Sequence, residues 1–72
     1  MTENKKTVAN IEEGIIRHEG LILVSCIRNY QGEYKWNSAI TGRTGQKFLK
    51  TKRAALNHAI RALALKNVEW EG

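Results

Sequence analysis

Chemistry in this chain could come from one thiol, two imidazoles, seven carboxylates and twelve cationic side chains, and their spacing decides among these. A nucleophile needs a base beside it, and general acid–base hydrolysis needs paired acids held in a cleft. Neither pattern is present, so no catalytic residue is assigned and the chain reads as a non-enzyme. Cys26 lies inside the largely apolar strand read over Leu21–Arg28, where a thiol is expected to be inert. His18, Cys26 and His58 are far apart and lack both paired spacing and a fourth ligand, so no metal is expected. Thr41-Gly42-Arg43-Thr44-Gly45 holds two glycines without the Gly-Lys-Ser/Thr ending of a phosphate-binding loop, and reads as a hairpin turn. No cofactor is implied.

The cations are the remaining chemistry. Between Arg28 and Lys66 nine basic residues stand against the single acid Glu33, a net +8, while the flanks sum to −3. A concentrated positive field attracts polyanions, and each phosphate neutralised releases a counterion, so this segment suits DNA or RNA. In a strand, residues two apart share a face, so Lys35 and Asn37 could enter a major groove together, with Asn37 reading adenine. Lys47 is expected beside them, and Arg43 at a hairpin tip could meet a guanine edge or a phosphate. Lys50, Lys52 and Arg53 suit backbone phosphates. Tyr30 and Tyr34 could stack on unpaired bases, whereas Trp36 and Phe48 are expected in the core.

Elements must place these groups. Seventy-two residues, 42% hydrophobic and 26% charged, suffice for one small domain over residues 7–72 behind a loose terminus at 1–6. The longest apolar run, Leu21–Val24, cannot cross a membrane, and the lone cysteine with no apolar leader points to the cytoplasm. Residues 7–18 read either as a helix capped by Thr7 or as a strand over Gly14–Arg17 that turns at Glu19-Gly20. Leu21–Arg28 reads as a strand, Asn29–Gly32 as a turn, and Tyr34–Ile40 as an alternating strand with Tyr34, Trp36, Ser38 and Ile40 inward. Gln46–Leu49 reads as a short third strand. Thr51 caps a helix running to about Lys66, with Ala55, Leu56, Ala59, Ile60 and Leu63 toward the sheet. The expected fold is therefore α+β: an antiparallel sheet of three strands, or four if Gly14–Arg17 joins it, packed by one C-terminal helix.

That order, with Gly32-Glu33-Tyr34-Lys35-Trp36, then Ile40–Phe48, then Thr51-Lys52-Arg53-Ala54-Ala55, resembles the sheet-reading DNA-binding domains of tyrosine-type integrases (the amino-terminal arm-site domain) and of plant ethylene-response factors. In those families a three-stranded sheet enters the major groove and a helix opening Thr-x-x-x-Ala packs behind it; Thr51 and Ala55 match. The resemblance implies DNA contacts from Arg28, Lys35, Asn37, Arg43 and Lys47, and a small regulator from a phage or other mobile element. Leu21–Ile27 is apolar on both faces, however, so Ile15 and Ile16 are expected to cover the second side. Binding would then shift to the hairpin and helix start. The rival reading is a small phage-type inhibitor or adaptor that docks on a host protein. A monomer or a homodimer built on a strand edge suits either role.

Overall fold

The structure, a computed structural model, describes residues 6–72; the expected loose terminus falls outside them except for Lys6. Strands β1 (Thr7–Asn10), β2 (Ile15–His18), β3 (Leu21–Arg28) and β4 (Tyr34–Asn37) precede helix α1 (Lys52–Ala62) and a last strand, β5 (Val68–Glu71). Among the described residues the fold is α+β with one helix, and its sheet is larger than expected: five strands in the order β4-β3-β2-β1-β5. β1 to β4 are antiparallel, whereas β5 runs parallel to β1, making the sheet mixed.

Local chemistry explains the turns. Residues 7–18 form two strands and not a helix. Asn10 closes their loop, its side-chain oxygen accepting from the Glu13 N–H and its carbonyl from the Gly14 N–H. Thr7 caps nothing; its buried hydroxyl pairs with Nδ1 of His18 on β2 at 2.8 Å. Glu19 (φ 54°) and Gly20 (φ 84°) make the tight turn into β3, both with the positive φ that matches strand twist. Asn29 organises the next turn, its side-chain oxygen accepting from the N–H groups of Gln31 and Glu33.

The expected third strand at Gln46–Leu49 does not form. The segment touches β4 at two bridges only, Asn37 to Thr44 and Tyr34 to Leu49. Five steps on the loop face three on β4, so residues 46–48 bow outward and cannot sustain a ladder. β4 stops at Asn37 because Ser38 turns the chain, its carbonyl accepting from Gly42 and its hydroxyl from Thr41. Ile40 consequently lies on the turn, 59% exposed, and is not a core residue. Phe48 is also outside the buried cluster; it is half-buried at the β4 edge.

The core forms where α1 meets one sheet face. Ala9, Ile16, Val24 and Trp36 come from four adjacent strands, and Leu56 and Ala59 press on them from the helix. Burying side chains such as Ile16 and Leu56 contributes about 1.5–3 kcal/mol each. Thr51 caps α1 through its hydroxyl, which accepts from the Ala54 N–H at 3.0 Å. The helix ends at Ala62, short of Lys66. The Leu65 N–H returns to the Ile60 carbonyl and the Ala64 N–H to that of Arg61, a closure that puts Ala64 at φ 54°. Val68 and Trp70 of β5 then pack against the core.

Two substitutions test this account. A Cβ on buried Gly45 would stand 2.7 Å from the Trp36 indole, so Gly45→Ala should lower unfolding free energy by about 1–3 kcal/mol in urea titration. Ala64→Gly relieves a left-handed position and should raise it by roughly 1 kcal/mol. Unchanged midpoints would remove the backbone explanations given for the loop and the helix end.

Candidate nucleic-acid interface

Strand pairing sorts the candidate residues between two faces. Opposite the helix, Lys35 aligns with Ile27. A second row runs Asn37, Ser25, Ile15, Asn10 and Glu71, and a third runs Ile22, Arg17, Val8 and Glu69. Ile15 is thus part of the sheet and Ile16 points to the helix, so neither covers the second face. Among the described residues no element lies across it. Of the eight candidates only Lys35 and Asn37 stand on this open face, and the Lys35 ammonium sits 4.8 Å from the centre of the Phe48 ring.

The other candidates lie elsewhere. Arg28 ends β3 on the helix side of the pleat, opposite Tyr34. Arg43 does not extend from a hairpin tip. Its guanidinium reaches back to α1, where Nη1 donates to the Ala62 carbonyl at 3.0 Å and ties loop to helix end. Lys47 lies on the bowed loop and not beside Lys35 and Asn37, because the strand that would align them is missing. Lys50 is exposed just before the cap.

Two residues at the helix start have structural partners. The Lys52 ammonium donates to the Glu12 carbonyl at 2.6 Å and stands 5.9 Å from the Tyr34 ring centre. Arg53 stacks on Trp70 at 4.9 Å, a cation–π contact worth about 0.5–1 kcal/mol at an exposed site. Arg28, Lys47 and Lys50 make no side-chain hydrogen bond or ion pair with the described residues.

A groove of about 270 Å³ joins the loop to the helix, lined by Arg43, Gln46, Lys47 and His58 over the edge of Trp36. The Trp36 indole N–H donates to Nδ1 of His58 at 3.3 Å, so the other ring nitrogen of a neutral His58 carries the proton. Arg61 lies one turn along from His58 and Asn57, and the three border a shallower depression on the outer helix surface. His58 and Arg61 were not among the expected contacts. The signal was available in the four-residue spacing of Arg53, Asn57 and Arg61, which places them on one helical face.

Electrostatically the molecule is divided. Glu69 and Glu71 lie on β5, with Glu12 and Glu13 in the adjoining β1–β2 loop. Lys6 pairs with Glu69 at 3.5 Å, and Arg17 with Glu13 at 3.1 Å. Lys35, Arg43, Lys47, Lys50 and Arg61 gather on β4, the bowed loop and the outer helix face, where α1 packs chiefly on β4 and β3. Arg53, leaning over β5, and Lys52, at the β1–β2 loop, lie toward the acidic side with the paired Lys6 and Arg17. The first turn of α1 carries no acid, so its cations and the positive helix end reinforce one another.

Other chemistry is sparse. Among the described residues no three His, Cys, Asp or Glu side chains gather where a metal ion could be held. No described helix is long and apolar enough to cross a membrane. Half-buried Cys26 is pushed above the ordinary thiol range by burial, against a smaller lowering by Lys52. No family model matches the chain, and searches of curated proteins and of solved structures return no match.

The thiol gives a direct check on the geometry around Lys52. At neutral pH Cys26 should react with iodoacetamide at least several-fold more slowly than free cysteine, because burial disfavours the thiolate. Its rate should climb only above the range where free cysteine ionises. Equal rates would mean that the β3–α1 seam is open to solvent.

Proposed function

We propose that this protein is a non-enzymatic nucleic-acid-binding domain that takes duplex DNA, or structured RNA, on the surface formed by the bowed loop, the β4 edge and the outer face of α1. The observation that supports this most is the segregation of charge. Lys47, Lys50 and Arg61 stand on the bowed loop and outer helix face, with Lys35 on the adjoining edge strand β4 and Glu33 the single acid between residues 28 and 66, while the glutamates of β5 and the β1–β2 loop lie toward the opposite edge. Such a field orients a polyanion before contact and favours phosphate binding over any single base reading.

Arg43 has a dual part in this reading. Anchored to the Ala62 carbonyl, it fixes the loop that presents Lys47, and its remaining guanidinium donors border the groove. Restraint of the loop before binding reduces the ordering cost at the interface. The sheet-reading mode implied by the resemblance would instead depend on Lys35 and Asn37, whose open face also carries Ile22, Ile27 and Glu71. A small regulator working on cytoplasmic nucleic acid fits the loop-and-helix mode.

Fluorescence anisotropy with labelled duplex DNA, single-stranded DNA and structured RNA separates the possibilities. Lys47→Glu with Lys50→Glu should weaken binding at least tenfold and flatten the salt dependence by about two phosphate equivalents. Asn37→Ala should leave affinity within about twofold, since phosphate contacts dominate. The reverse ranking would favour groove reading by the sheet. Binding that vanishes for the unmodified protein at physiological salt would overturn the proposal and favour a host-protein partner.

A further inference from the structure

Apart from Lys35, the open sheet face has no part in this reading. Its apolar residues are Val8, Ile15, Ile22 and Ile27, of which Ile22 is 52% and Ile27 45% exposed. A sheet with one solvated face ordinarily alternates apolar and polar residues, so β-branched side chains on the outer side call for a cover. The two edges of this face differ in charge, Lys35 standing on edge strand β4 and Glu69 and Glu71 on edge strand β5, with Arg17 on the central strand β2.

We infer that the cover is a second copy of this chain, packed face to face about a two-fold axis parallel to the strands. Rotation about that axis keeps strand direction and exchanges the edges. β2 lies over its own counterpart, β3 over β1, and β4 over β5. The basic edge of each copy therefore meets the acidic edge of the other twice, as an isologous interface requires. Lys35 comes to the corner where Glu71 adjoins the β1–β2 loop, Ile15 meets Ile15 and Ile22 meets Val8 near the axis, and Ile27 lies against the other copy's β1–β2 loop. Arg17 on the central strand meets its own counterpart near the axis, each cation offset by its pairing with Glu13 of the same chain. An axis across the strands would instead set β4 on β4 and β5 on β5, opposing like charges.

Strand edges offer less. β4's outer side is partly occupied by Thr44 and Leu49. β5 is four residues long and holds two glutamates, a composition that discourages edge pairing. Five strands spaced about 4.8 Å, three side-chain rows deep at about 7 Å, give a footprint toward the low end of specific interfaces. Interfaces at that end of the range include weak and transient ones, so association is expected at micromolar and higher concentrations. The bowed loop, Lys47, Lys50 and the outer helix face remain outside, and Lys35 is the residue that the dimer face shares with the nucleic-acid surface.

Sedimentation velocity on the full chain, from about 5 to about 500 µM, spans the expected monomer–dimer equilibrium. Ile22→Asp and Ile27→Asp, both at exposed positions, should each weaken association at least tenfold without changing the far-UV circular dichroism or melting temperature. Lys35→Glu should weaken it about fivefold, and adding Glu71→Lys to the same chain should restore it, because the two-fold sets these edges against each other. A chain that stays monomeric throughout would overturn the inference and leave the face to another partner. A dimer indifferent to Ile27→Asp would place the interface elsewhere, and failed rescue by Glu71→Lys would exclude this axis. Lys47-dependent binding to DNA that survives in the Ile27→Asp monomer would separate this result from the nucleic-acid reading.

Discussion

The indole of Trp36 is packed between the sheet, the bowed loop and the helix, and the placement of all three depends on it. It projects from β4 opposite Cys26, lies against the bare backbone of Gly45, and donates its N–H to His58 on α1. A chain of this size has few large side chains with which to fill a core, and most of its core volume is aliphatic. One aromatic that contacts three segments therefore fixes more geometry than any single leucine. The loop's path past Gly45, the height of the helix over β4, and hence the separation of Lys47 from Arg61 all follow from this contact.

Several of the cations that give the chain its charge are also structural. Lys52 fastens the helix start to the β1–β2 loop, Arg53 stacks on β5, and Arg43 closes the helix end. In a domain with a small core, these contacts join segments that hydrophobic burial alone would hold weakly. Their charge still contributes to the field, since a hydrogen bond to a neutral carbonyl does not cancel it. The surface around them is thus rigid in its anchors and open at Lys47 and Lys50, a division suited to holding a polyanion by its backbone.

The open face obeys a different constraint. Covering one side of a five-stranded sheet takes the whole of an eleven-residue helix, and no second helix is present among the described residues. β-branched residues on the other side stiffen the strands and favour the pleat, yet they leave apolar surface in water. Segregating opposite charges to the two edges gives that surface a direction, so its association need not be indiscriminate.

Much of the fold is written locally. Period-two alternation around Trp36, the Glu19-Gly20 turn, the Asn29 turn and the Thr51 cap with its Ala55, Leu56 and Ala59 stripe each depend on neighbours within a few residues, and each is legible in the sequence. So is the basic character of residues 28–66. Other features depend on contacts that no local pattern carries. β5 gains its place by pairing in parallel with β1, across most of the chain; Gln46–Leu49 loses its strand because the register at Thr44 and Leu49 leaves residues over. Phe48, apolar in sequence, falls outside the core for the same reason, and Ile40 does so because the chain turns at Ser38. Composition thus determined that a cationic, sheet-and-helix protein would form. Only the tertiary structure decided which cations are engaged, which stand free, and which sheet face is left uncovered, because those outcomes turn on register and close packing between segments distant in the chain.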